Sequence, residues 1–321
     1  SPGFYGNLLN EFIMAHLPPA MFAKAFSLCP RHTTSPLRQL PLIPWSARLF
    51  STTSTSTTST TTKTAPFPTN QYNRAERIIL VRHGQSAGNI DESTYVSTAD
   101  WRIPLTEQGH QQAKNAGAII ADLLGEDGRI FTYVSPYERT RQTLKGIMSE
   151  LPTNQVAGVR EEPRIAEQQF GNFQNVEQVQ IAKKERTKFG RFFYRFPNGE
   201  AGFDVYSRVT SFISTIMRDS NQLRAEEANF DKINICIVTH GLTLRLFLMR
   251  WFQYSVSEFE ESFNPDNGSV VVLLRKTNPE TGLQWYELDA GSRERLNLPK
   301  YENQERFRIK DDLSILDKIG R

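Results

Sequence analysis

Residues 78–84 read Ile-Ile-Leu-Val-Arg-His-Gly, a short apolar run that stops abruptly in an arginine, a histidine and a glycine. Ile78 to Val81 suit a strand buried on both faces, because branched aliphatics pack well on a pleat and no polar residue alternates with them. Gly84 is read as letting the chain turn sharply where a bulkier residue would clash. The imidazole of His83 and the guanidinium of Arg82 are thereby expected at the carboxyl end of a core strand, where open α/β sheets hold their ligands. A histidine beside a fixed positive charge is suited to attacking or gripping a phosphate. As an isolated tripeptide, Arg-His-Gly is also compatible with a plain strand end.

Outward from this strand the chain alternates short apolar runs with amphipathic helices. Ala113, Ala116, Gly117, Ile120, Leu123 and Leu124 fall at helical spacing within 106–124. A second strand is expected at 131–135, followed by a helix from about Tyr137 to Glu150. Val205, Val209, Phe212, Ile213 and Ile216 mark a long helix. Further strands are predicted at 234–239, 269–274 and, as an edge, 284–288, with a helix from Leu242 to Trp251 after the first of these. This alternation implies an α/β fold, a three-layer α/β/α sandwich with a largely parallel central sheet.

The 321 residues carry a net charge of +3, unevenly spread. Between Phe12 and Ala75 there is no acidic residue, while Lys24, Arg31, Arg38, Arg48, Lys63 and Arg74 are basic, so the remainder is mildly acidic. That balance gives no support to nucleic acid as a partner of the folded part. The acid-free segment is rich in Ser and Thr and includes an unbroken tract, Ser51 to Thr62, that cannot bury enough apolar surface to fold. Residues 1–75 are therefore expected to be a disordered basic leader and a candidate mitochondrial targeting segment, with Ala47-Arg48-Leu49-Phe50-Ser51 resembling a matrix-protease site. Six prolines between Pro18 and Pro44 argue against an import helix and leave a cytoplasmic location as the alternative. No apolar run approaches the roughly 18 residues of a membrane helix, so no membrane partner is expected. Cys29 and Cys236 are the only cysteines, too few for a disulfide framework or a cysteine-based zinc site.

The decisive feature is a second junction of the same kind. Ile235-Cys236-Ile237-Val238-Thr239 leads into His240-Gly241. Of the three histidines after the leader, His83, His110 and His240, two thus stand at the ends of core strands and precede glycine. In a parallel sheet those ends face one crevice.

With these residues in view, the chain resembles the histidine phosphatase superfamily, branch 1, with its phosphoglycerate mutase-like fold. Arg82-His83-Gly84-Gln85-Ser86, with Asn89 behind it, resembles the family signature. Leu105-Thr106-Glu107-Gln108-Gly109 resembles the start of the first helix. Ser135-Pro136-Tyr137-Glu138-Arg139-Thr140-Arg141-Gln142-Thr143 resembles the segment carrying the second phosphate-binding arginine, which falls on Arg139. Ile165-Ala166-Glu167-Gln168-Gln169-Phe170-Gly171 resembles the proton-donor segment, which places that role on Glu167. Thr239-His240-Gly241 matches the second histidine. The likeness spans about 77–275. In its spacing and its Arg-Phe-Pro-Asn-Gly-Glu segment (195–200) it is most similar to eukaryotic members called only phosphoglycerate mutase-like. It implies a catalytic domain at 76–291 with a small cap insertion around 171–203, and a charged tail at 292–321.

The chemistry implied is phosphoryl transfer through a phosphohistidine, which splits a very slow hydrolysis into two easier steps. His83 is the expected nucleophile, with Arg82 and Arg139 holding its pKa down and gripping phosphate oxygens. His240 is expected to stabilise the transferring group, and Glu167 to act first as acid, then as base. Gly84, Asn89 and Gly241 are read as substrate-binding. No metal and no cofactor are expected, because arginines and histidines supply the positive charge. The expected partner is a phosphorylated small-molecule substrate, and the oligomeric state is left open.

Other polar residues receive plainer readings. His110 is expected at the surface and Arg141 in solvent. Lys183, Lys184, Arg186, Lys188, Arg191 and Arg195 form a basic run whose default is a solvated helix face. The resemblance adds a cap over the pocket, which would let some of them hold an anion. A mutase is expected to carry a Trp- and Arg-rich segment after Asn89, where this chain has Ile90-Asp91-Glu92-Ser93-Thr94-Tyr95-Val96. Phosphatase is therefore favoured over mutase, with a non-catalytic phosphate-recognising scaffold as a further alternative.

Overall fold

The computed structural model describes residues 74–171, 176–226 and 230–299. The leader, apart from Arg74 and Ala75, lies outside the described residues, as do positions 172–175 of the expected cap and 300–321 of the tail.

Six strands form one sheet in the order β3-β2-β4-β1-β5-β6. They are β1 (Arg77–Arg82), β2 (Arg129–Val134), β3 (Val156–Glu161), β4 (Ile233–Thr239), β5 (Val270–Thr277) and β6 (Gln284–Leu288). β3, β2, β4 and β1 are mutually parallel, while β5 and β6 add an antiparallel edge. Period-two alternation sends successive side chains of the central strands to opposite faces. Ile78, Leu80, Ile235 and Ile237 enter one apolar cluster with Val205, Val209 and Phe212 of helix α6 (Gly202–Glu226) and Leu244 and Leu248 of α7 (Gly241–Phe252). Ile79, Val81, Cys236 and Val238 enter another, with Ala116 and Ile120 of α3 (Glu107–Leu124) and Leu144 and Ile147 of α4 (Glu138–Met148). The sheet thus lies between two helical layers, and a large-to-small change at a fully buried position such as Ile79 would cost about 2–5 kcal/mol.

The expected elements are present, with ends shifted by a few residues. β3 was not anticipated. It is an edge strand without a buried residue, and Gly158 and Arg160 interrupt any apolar pattern. The boundary expected at 291 falls inside helix α9 (Ala290–Arg295). Buried Ser292 and Leu296, with Leu298 packed on the core, carry the folded part beyond it.

Register positions the site. β1 and β4 are hydrogen-bonded neighbours with Arg82 opposite Thr239, so the next residues, His83 and His240, emerge side by side at the same sheet end. The His83 amide donates to the Thr239 carbonyl at 2.9 Å, extending the ladder one residue past the strand. Because β5 runs the other way, the loop before it (262–269) lies at that end too. Gly268, at φ +75°, donates its amide to the carbonyls of Arg82 and His83.

Candidate active site

Gly84 does not sit in the left-handed region, so its role is not a turn that only glycine can make. Its need is close approach: a Cβ there would lie 2.3 Å from the carbonyl oxygen of Gly109, and one on Gly109 would lie 2.1 Å from that of Gln85. This glycine pair presses the start of α3 against the loop after β1. The Gly84 amide donates to Thr143 Oγ1 at 3.0 Å, tying the same loop to α4.

His83 is buried, and its Nδ1 lies 2.7 Å from the Gly84 carbonyl. A carbonyl only accepts, so Nδ1 carries the proton and Nε2 keeps its lone pair. Burial, then the guanidiniums of Arg139 and Arg82, push the His83 pKa well below the usual imidazole value. Its ring centre is 5.2 Å from that of His240, edge to face. His240 caps the first turn of α7 and is fully buried. Its Nε2 meets Ser135 Oγ at 2.8 Å, while Nδ1 is buried with no partner among the described residues. Burial, then Arg139, also lowers its pKa. Strands β1, β4 and β2 therefore each contribute a polar side chain just past their carboxyl ends: His83, His240 and Ser135.

Arg139, in the first turn of α4, is 3% exposed and lies 4.8 Å over the Tyr137 ring, which packs edge-on against His240. Its Nη1 is held by the Asp100 carbonyl and carboxylate, leaving its other donors for a ligand. Arg82 is held by one nitrogen on the Pro265 carbonyl, and its Nε is buried without a partner among the described residues. Asn89 differs from expectation. Its Oδ1 accepts from the amide and hydroxyl of Ser86 and from Asn267 Nδ2, so it organises the loop and offers only its own amide nitrogen. Asn267 also donates to the His83 carbonyl at 3.1 Å.

Glu167 lies on the segment after β3, held by three side chains. Thr239 Oγ1 donates to the Ile165 carbonyl at 2.7 Å and Thr243 Oγ1 to that of Ala166 at 2.9 Å. Arg208 of α6 donates to the carbonyls of Arg164, Ala166 and Glu167. Burial pushes the Glu167 pKa up, although its neighbours Arg139 and Arg82 pull it down. A carboxyl so placed can keep its proton when others have lost theirs.

The expected residues His83, His240, Arg82, Arg139 and Glu167 converge on one site, with Gly84, Asn89 and Gly241 in the loops that shape it. Gly241 is constrained by contact, since a Cβ would lie 2.4 Å from Asn264 Oδ1. His110 is exposed, and exposed Arg141 pairs with Glu161. The basic run divides. Lys183 pairs with Glu92 and Arg195 with Asp204, whereas Arg186 and Arg191 line a cavity beside Glu167. Asp100, Ser135, Tyr137, Asn267 and Arg245 were not anticipated. Ser135 carried a signal, since it ends β2 as His83 ends β1; Asp100 carried none.

A crevice at parallel strand ends, two buried neutral imidazoles, two guanidiniums and a proton-holding carboxyl define a protein built for phosphoryl chemistry. The chain belongs to the histidine phosphatase superfamily (branch 1), whose model matches residues 78–287. It is similar to the phosphoglycerate mutase-like protein AT74H of Arabidopsis thaliana, 49% identical over 200 residues, covering 60% of this chain and 71% of that protein. It also resembles the broad-range acid phosphatase DET1 of Saccharomyces cerevisiae, 31% identical, covering 62% of this chain and 85% of that protein. Among solved structures, mycobacterial hydrolase 1 shares the fold at a TM-score of 0.52 and 22% identity, over 67% of this chain and 97% of that one.

Proposed function

We propose that this chain hydrolyses a phosphomonoester of a small molecule through a phosphohistidine on His83. The observation that carries the reading is the bond from His83 Nδ1 to the Gly84 carbonyl, which leaves Nε2 unprotonated beside two guanidiniums. Nε2 attacks phosphorus as the bond to the leaving oxygen breaks, and the Glu167 carboxyl gives that oxygen its proton. Arg82, Arg139 and His240 stabilise the charge on the transferring group. The resulting Glu167 carboxylate then takes a proton from water, whose oxygen attacks phosphorus. The P–N bond breaks, releasing inorganic phosphate and restoring both groups.

Hydrolysis is preferred to mutase transfer because 90–96 lacks the Trp- and Arg-rich character expected of a mutase. The acceptor of the phosphoryl group tests this. With an aryl phosphate and phosphoglycerate in one assay, release of inorganic phosphate, lost in His83→Ala, supports the reading. Isomerisation of phosphoglycerate without phosphate release would replace it with the mutase.

The acid-free, Ser/Thr-rich leader supports a second proposal, import into mitochondria. A fusion of residues 14–75 to a fluorescent reporter should reach that organelle, and diffuse fluorescence would refute it.

A further inference from the structure

Ser135 follows β2 directly and lies beside the end of β4, where its amide donates to the Val238 carbonyl at 3.0 Å. Its own carbonyl accepts from Thr140 Oγ1 at 2.9 Å, so both backbone groups are used without help from the side chain. The hydroxyl is fully buried and meets a single group among the described residues, His240 Nε2, at 2.8 Å. The His240 ring is fully buried too, packed edge to face with Tyr137 at 5.0 Å and with His83 at 5.2 Å. Burial and the Arg139 guanidinium hold its pKa low, so the ring carries one proton near neutral pH.

That proton has two seats to choose between. On Nε2 it would donate to Ser135 Oγ. The serine hydrogen would then have no acceptor among the described residues, and Nδ1 would hold a buried lone pair without a donor. On Nδ1 only one group is left over. Ser135 donates to the Nε2 lone pair, and the Nδ1 hydrogen alone lacks a partner among the described residues. A buried N–H in that condition calls for an acceptor from outside the chain. A phosphoryl oxygen at His83, whose ring centre is 5.2 Å away, is such an acceptor.

We propose that Ser135 is a positioning residue, whose hydroxyl donates to His240 Nε2 and thereby seats the imidazole proton on Nδ1, facing the transferring phosphoryl group. The inference rests on the phosphatase reading and adds to it a residue that acts through His240. The two histidines are then set for opposite tasks by opposite neighbours. At His83 a carbonyl acceptor on Nδ1 leaves Nε2 a lone pair for phosphorus. At His240 a hydroxyl donor on Nε2 leaves Nδ1 a proton for oxygen.

The test is NMR of the imidazole nitrogens in the full-length protein labelled at histidine. His240→Gln identifies the signals of that ring among those of the five histidines. Near neutral pH, His240 should show a protonated Nδ1 and a bare Nε2. Ser135→Ala deletes one hydroxyl and no backbone bond, and in it the proton should move to Nε2, the seat a neutral histidine side chain favours in water. Its kcat for an aryl phosphate should fall about tenfold or more, with KM changed less. A proton on His240 Nε2 in the unaltered protein would overturn the inference and leave the phosphatase reading intact. So would a tautomer, or a kcat, unchanged in Ser135→Ala. No hydrolysis by the unaltered protein would overturn both.

Discussion

One nitrogen of Arg139 donates to both the backbone carbonyl (2.7 Å) and the carboxylate (2.8 Å) of Asp100. These two hydrogen bonds to a single-turn 3₁₀ helix set the direction of a guanidinium whose charge acts on both histidines. Asp100 forms no hydrogen bond or ion pair with either histidine among the described residues, so it acts as a positioning residue. Asp100→Ala should lower kcat/KM for an aryl phosphate about tenfold, as expected for the loss of a charge-assisted hydrogen bond. Asp100→Asn keeps an acceptor and should restore most of the loss. Equal loss in both variants would show that the carboxylate charge, not its geometry, is what matters.

The pH profile follows from two opposed shifts. His83 must be neutral to attack, and its pKa is lowered, so activity should rise with pH through a value well below 6.5. Glu167 must be protonated to assist departure, and its pKa is raised above 4.5, so activity should fall as pH rises through that value. The kcat/KM profile is therefore a bell, its acid limb set by His83 and its alkaline limb by Glu167. Glu167→Gln should lower the rate and remove the alkaline limb. An unchanged alkaline limb in that variant would assign it to another group.

Arg208 binds the carbonyls of Arg164, Ala166 and Glu167 and, through Nε, the Glu200 carboxylate at 3.1 Å. Arg208→Met releases this segment at both its backbone and its acidic anchor. The expected result is a fall in kcat larger than the rise in KM, with a loss of about 2–4 kcal/mol in stability. Steady-state kinetics and thermal denaturation read the two effects separately.

Gly84 and Gly291 should respond oppositely to alanine. At Gly84 the added methyl meets a backbone oxygen at 2.3 Å, so Gly84→Ala should cost about 3 kcal/mol or more. At Gly291 it meets the flexible end of Arg295 at 3.3 Å, inside helix α9. Gly291→Ala should be neutral or stabilise by up to about 1 kcal/mol. Melting temperatures of the two variants decide this.

What the sequence disclosed followed from burial. β1, β4 and β5 are fully or mainly apolar, so their runs stood out, and the residues after β1 and β4 were placed by counting. β3 was invisible because an exposed edge strand needs no apolar side chains. Arg82, His83 and His240 were legible for the same reason as the strands, since they stand at the ends of β1 and β4, whereas Arg139 and Glu167 were placed by the family resemblance of the segments that carry them. Asp100 was not, because its contact with Arg139 joins a short turn to a helix 39 positions away. The demand for glycine at 84 is close approach rather than a sharp turn, and its source, Gly109, is remote in sequence. Arg245 carries a readable signal, as the lone charged residue in the buried run 241–249.

The account turns on a covalent bond between phosphorus and His83. The protein should be mixed with an aryl phosphate, quenched in alkali to preserve phosphoramidates, digested and sequenced by mass spectrometry. A phosphoryl group on the His83 imidazole, absent from His83→Ala together with hydrolysis, is the predicted result. A phosphoryl group on His240 instead, or full hydrolysis by His83→Ala, would contradict it.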